Sequence, residues 1–219
     1  MVKMRNAFSY LIEQGIIFEN YISSITITMR TRPRLRIKEN AEVRAGNILI
    51  AKPFWQEEIY KRSVILLIDV CPEGSTGLIL NKVSNLSVFD ALPELMDKDP
   101  LFFGGPISKK TISYIHTNNN LPDSFYLGND LYWGGNYESL LEMSELGTIS
   151  LKSFLFCAGF VQWEPGQLQI EMAEDKWWVS EINSDELFHV PSENLWGEKL
   201  VEDNHVYGLF NLHPDPSQS

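Results

Sequence analysis

Few residues of this chain have types and spacings suited to chemistry. Trp163-Glu164-Pro165-Gly166-Gln167 would set an indole, a carboxylate and an amide at a helix start, where free backbone amides favour a small polar ligand. The same residues would serve structure alone if the helix start simply packs under Trp163. Gly104-Gly105-Pro106 offers glycine amides that an anion can approach closely, or a tight turn. Asn81 adds an amide at the end of the apolar run Gly77-Leu78-Ile79-Leu80. The candidate ligand or partner surface is therefore Asn81, Gly104, Gly105, Trp163, Gly166 and Gln167.

Other chemistry lacks its pattern. The four histidines, His116, His189, His205 and His213, show neither His-x-x-x-His nor His-Glu-x-x-His spacing, so no metal site is expected. Neither a phosphate-loop glycine pattern nor a Gly-x-Ser-x-Gly elbow occurs, so no catalytic residue and no cofactor is nominated. Cys71 and Cys157 have no zinc or redox spacing, and Cys157, inside an apolar run, reads as a core thiol. This balance leans away from an enzyme.

The elements that would carry these residues are short. Apolar runs at 48–51, stopped by Pro53, at 64–68, stopped by Cys71-Pro72-Glu73-Gly74, and at 77–80 read as buried strands. Segments 111–117, 125–133, 153–160 and 177–182 read as further strands. Helices are expected over 87–96, capped by Ser87 and limited by Pro93; from Asn136 to the Gly147 stop; from Pro165 as first helical residue, with Gly166 and Gln167 in its first turn; and from Ser192.

The charge balance narrows the partner classes. Eighteen basic and 29 acidic residues give a formal charge of -11, which repels nucleic-acid phosphates and argues against direct nucleic-acid binding. The first 40 residues hold seven of the basic residues and three of the acidic ones, including the run Arg30, Arg32, Arg34, Arg36 and Lys38. Residues 1–40 read as a basic N-terminal extension, with Met29 an alternative start, and 41–219 as the folded domain. Without an apolar window of about 20 residues, no membrane span is expected and the protein is read as cytoplasmic.

Four ordered segments carry a family resemblance: Gly46-Asn47-Ile48-Leu49-Ile50-Ala51-Lys52-Pro53, Gly77-Leu78-Ile79-Leu80-Asn81-Lys82, Phe103-Gly104-Gly105-Pro106 and Trp163-Glu164-Pro165-Gly166-Gln167-Leu168. Together they resemble the AlgH/YqgE family, from about residue 41 to the end. Two departures are Asn81-Lys82-Val83, where the family often has Asn-Arg-Pro, and the stretch Gly159-Phe160-Val161-Gln162-Trp163.

The resemblance implies an α/β domain of α+β type, a single compact unit whose twisted, partly barrel-like sheet is flanked by short helices. It also implies a largely uncharacterised bacterial family, some of whose members are labelled transcriptional regulators. The expected function is regulation through an unknown protein partner rather than catalysis. The alternative is binding of a small polar ligand, a nucleotide or anionic metabolite, or an unusual hydrolase.

Overall fold

The computed structural model describes residues 43–53, 55 and 57–203. The expected basic extension, and His205 and His213, lie outside the described residues.

The longest apolar runs form the centre of one sheet. β1 (Asn47–Ala51), β2 (Val64–Cys71) and β3 (Gly74–Ile79) pair antiparallel in that order, and β2 and β3 form a tight hairpin. β4 (Val83–Ser87) leads into the one-turn helix α1 (Val88–Ala91), a 3-10 turn at Pro93–Leu95, and β5 (Pro100–Phe103). β6 (Ile107–His116), β7 (Ser124–Gly128) and β8 (Leu131–Gly134) precede helix α2 (Tyr137–Glu145). The described residues close with β9 (Phe154–Trp163), α3 (Gln167–Ala173), β10 (Trp177–Glu181), α4 (Ser184–His189) and α5 (Ser192–Asp203).

Among the described residues the strands run β10-β1-β2-β3-β9-β6-β8-β7, with β5 parallel to β9 and β4 on its outer side. The ends of this order approach one another. A Cβ on Gly46, just before β1, would lie 1.8 Å from the Leu127 carbonyl of β7. Asn129, in the β7–β8 turn, donates to the Ile182 carbonyl beyond β10. The sheet is thus a curled half-barrel flanked by short helices.

Alternation along the central strands explains why both faces are apolar. Ile48 and Ile50 face one core with Leu66, Leu78, Ile115, Leu131 and, from α5, Leu195, Trp196 and Leu200. Leu49 and Ala51 face a second core with Ile65, Ile79, Trp163, Trp177 and Leu168 of α3. A third core joins Tyr114, Phe154 and Phe156 to Val88 of α1 and Leu140 of α2.

Several expectations need correction. Residues 125–133 are not one strand but the β7–β8 hairpin, because Asn129 and Asp130 both take positive φ (51° and 59°) and reverse the chain. The helix expected from Pro165 begins at Gln167, since Gly166 at φ 77° is its cap and lies outside the helical region. The helix expected over 87–96 is cut to one turn plus a 3-10 turn, although Ser87 does cap it, as does Asn136 for α2.

Candidate functional site

The nominated residues are strung along β3. Asn81 lies just beyond its end, where its side-chain oxygen accepts the Val64 N–H at 2.9 Å and its amide donates to the Arg62 carbonyl at 2.8 Å. The amide therefore extends the β2–β3 ladder by one rung. The neighbouring Lys82 ammonium donates to the carbonyls of Glu58 (3.1 Å) and Ile59 (2.8 Å), and burial lowers its pKa. In the position where the family often carries arginine, lysine here closes the 57–60 turn.

Gly104 sits at a fork in the sheet. Its N–H donates to Ala158 of β9 and its carbonyl accepts from Ile79 of β3, each at 2.9 Å. A Cβ at Gly104 would lie 2.3 Å from the Gly159 carbonyl, and one at Gly105 would lie 2.2 Å from Phe160 backbone atoms. Both glycines are buried and let two main chains touch.

The Trp163–Gln167 segment converges on a residue that sequence reasoning missed. Trp163 and Trp177 both donate their indole N–H to Glu171 Oε2, each at 2.8 Å. Gln167, one helical turn before Glu171, donates to the other carboxylate oxygen at 3.1 Å and accepts the Glu164 N–H at 3.0 Å. Trp55 and Tyr60 pack on Trp177, with ring centroids 4.4 and 6.1 Å away. Burial raises the Tyr60 phenol, with Glu57 and Glu171 adding to the shift. The one available hint was Gln167 and Glu171 at i, i+4 on a helix that begins after a tryptophan.

His116 and Ser124 resemble half of a catalytic triad, with Ser124 Oγ 3.2 Å from His116 Nε2. The tautomer opposes that use. Nδ1 accepts the Asn118 N–H at 3.2 Å, so the proton is on Nε2, which donates to the Gly134 carbonyl at 2.9 Å. The serine gives its own proton to the Leu121 carbonyl at 2.9 Å. The imidazole is fully buried and stacks on Tyr132 and Phe154, and burial lowers its pKa. Nothing in this pair accepts a proton from the serine.

A cleft of about 360 Å³ lies nearby, lined by Leu92, Ile112, Ser113, Tyr114, Trp133 and Tyr137 with Gly134 and Gly135. None of the nominated residues lines it. Tyr114 donates to the Gly135 carbonyl at 2.7 Å, and burial, then Tyr137, pushes its phenol up to about 12. The buried Trp133 Nε1 and Tyr137 hydroxyl have no hydrogen-bond partner among the described residues. Burial and the Glu94 carboxylate raise the Tyr137 phenol, although that carboxylate lies outside good hydrogen-bond geometry.

The exposed apolar side chains are unevenly spread. Of the ten large exposed ones among the described residues, Val83, Leu86, Phe89, Met96 and Ile107 fall within residues 83–107, on β4 and α1, just after the 3-10 turn and at the start of β6. Among the described residues no helix is long and apolar enough to cross a membrane, and no group of His, Cys, Asp and Glu is placed to hold a metal ion.

Residues 48–205 match the family described as AlgH-like, and the chain belongs to it. A UPF0301 protein of Cytophaga hutchinsonii is 32% identical over 175 residues, covering 78% of this chain and 96% of its own. A UPF0301 protein of Chlorobaculum parvum is 30% identical, covering 79% and 94%. Among solved structures, protein DIP2367 of Corynebacterium diphtheriae superposes with a TM-score of 0.69 at 24% identity, covering 80% of this chain and 95% of its own. The AlgH protein of Pseudomonas aeruginosa does so with 0.63 at 22%, covering 82% and 99%. Both share the fold.

Proposed function

We propose that this protein acts by binding another protein, in a regulatory role, and not by catalysis. The observation that carries this reading is the contrast between its polar groups and its apolar surface. The side-chain polar groups of Asn81, Trp163 and Gln167 are spent on the protein's own backbone and on Glu171, and the His116–Ser124 pair has the wrong tautomer for a base. Meanwhile Leu86 (53% exposed), Phe89 (40%) and Met96 (74%) stay in solvent, where burial against a partner would gain about 25 cal/mol per Å² before the costs of association.

Affinity capture from the native host with the full chain tests the reading. Leu86→Asp with Phe89→Asp should remove a reproducible partner, while Ile170→Asp, an exposed site on α3, should retain it. Equal capture by all three proteins would count against it.

A second reading rests on the cleft. An apolar molecule bearing acceptor oxygens would suit its aromatic walls and, with a small shift of Tyr137, satisfy the unpartnered Trp133 and Tyr137 donors. Thermal stabilisation by such a compound, abolished when Leu92→Trp fills the cleft, would support this reading; a flat response would remove it.

A further inference from the structure

The cleft beside Tyr114 is a gap in the sheet. β6 pairs with β9 from Ile112 to His116, but on its other side β8 covers only Ile115 and His116. The chain then turns away through Gly134 and Gly135, at φ 70° and 121°, and Asn136 donates its N–H to the Pro122 carbonyl at 2.7 Å before α2 begins. Among the described residues no strand stands opposite Ile112 on that side.

Two hydrogen bonds fix which way the Ile112 peptide groups point. Antiparallel partners alternate between pairs that exchange hydrogen bonds and pairs that do not. Thr117 donates its N–H to the Ser153 carbonyl at 3.4 Å, so Thr117, Ile115 and Ser113 turn their peptide groups towards β9. Ala158, the partner of Ile112, instead gives its carbonyl to the Gly104 N–H, at 2.9 Å. Ile112 therefore directs its own N–H and C=O away from β9 and into the cleft that it lines. The edge is short, because Ile107 faces Phe160 and Ile112 faces Ala158, so the residues between them bulge and end the regular ladder.

The walls come from both faces of the sheet. Leu92, Ile112, Tyr114 and Tyr137 belong to the third core, and Trp133 packs against the first. No charged residue lines the cleft, so its occupant is uncharged there. An anionic group would find no cation, and an apolar molecule bearing acceptors alone would leave the Ile112 carbonyl unanswered. A residue of an extended chain meets both needs, since it presents a donor and an acceptor on one edge.

We propose that the cleft takes an extended, uncharged peptide segment of a partner protein, which adds to β6 as a short strand where β8 leaves it. One residue of the segment exchanges two backbone hydrogen bonds with Ile112 and sets its side chain against Leu92 and Tyr137. Its neighbours in the segment point to the opposite face, beside Ser113 and Trp133. The inference rests on the cleft reading above and names the occupant, and it is independent of the surface at Leu86 and Phe89.

The test uses the full chain and a labelled peptide of serine, valine, leucine, valine and serine, acetylated and amidated so that its ends carry no charge. N-methylation removes a backbone donor and blocks pairing on that edge. Successive residues of a strand present their peptide groups to opposite edges, so methylating the leucine alone and methylating the two valines alone block opposite edges. One of these two peptides should bind as tightly as the parent and the other about tenfold more weakly. A folded Leu92→Trp protein should not bind the parent. No binding of the parent by the native chain, equal binding of the two methylated peptides, or binding unchanged by Leu92→Trp would overturn the proposal. If in that event a compound bearing acceptor oxygens still stabilises the native chain and not Leu92→Trp, the cleft reading stands and only the peptide occupant is wrong.

Discussion

Trp163 donates its indole N–H to Glu171 at 2.8 Å, which ties the last residue of β9 to the helix that follows it, and Trp177 of β10 donates to the same carboxylate oxygen. One carboxylate thus joins two strands and a helix, through hydrogen bonds stronger than neutral ones. Glu171→Ala strands two indole donors whose residues are 2% and 3% exposed and should cost about 3 kcal/mol. Glu171→Gln keeps an acceptor and should cost about 1 kcal/mol. Urea unfolding followed by tryptophan fluorescence would measure both; equal, small losses would show that the shared acceptor contributes little.

Gly104→Ala should yield no folded protein, because its Cβ meets a main-chain oxygen at 2.3 Å that no rotamer change can relieve. Gly166→Ala places its Cβ in open space and pays only for a left-handed backbone at φ 77°, about 1 kcal/mol. Circular dichroism and thermal melting of the pair separate a packing requirement from a conformational one.

Acid should destabilise the fold in a window set by His116. Burial holds this imidazole below its ordinary 6.5, so in mildly acidic solution the unfolded chain binds a proton that the native one refuses. Stability is then complete above about 6.5 and declines as pH falls through that value towards the lower native one. His116→Asn should flatten the slope of unfolding free energy just below pH 6.5; an unchanged slope would assign it to other groups.

Lys199 should show an asymmetry between its partners and itself. It is 3% exposed and donates to Glu186 at 2.6 Å and Glu202 at 2.7 Å, joining α4 to α5. Removing both carboxylates leaves a buried ammonium unpaired and should cost about 3 kcal/mol, whereas Lys199→Met should cost less than about 1 kcal/mol. Burial works to raise the Glu186 carboxyl, but Lys199 and the Asn183 amide outweigh it and hold it below 4.5. Its contribution is present above that value and fades as pH falls below it, a window lower than that of His116.

The central strands were legible because Ile48 to Ala51 and Val64 to Ile68 are apolar on both faces and need no partner to be recognised. β4 was not: Val83-Ser84-Asn85-Leu86-Ser87 alternates poorly, and it becomes a strand only through β5, which itself depends on parallel pairing to β9 about 55 residues later. The β7–β8 turn left a faint signal, since Asn129-Asp130 tolerates positive φ, but the aromatic residues around it read as one strand. Helix α4 announced itself through an Asn183–Glu186 capping box that the sequence reading passed over. At the candidate site, the motif residues were visible but their use was not. Glu171 lies eight residues after Trp163 and six before Trp177, and no local pattern links an acid to two indoles at those distances. The exposure of Leu86, Phe89 and Met96 was equally hidden, because it depends on which side chains the tertiary fold leaves uncovered.

The central claim is that Leu86 marks a surface where another protein sits, and a photo-crosslinking residue in its place in the native host tests this directly. Ile170 is the matched control, at 60% exposure against 53% for Leu86, on a different element. The account predicts discrete, light-dependent protein adducts from position 86 and none from position 170. Adducts equally frequent at both positions, or absent from position 86, would contradict it.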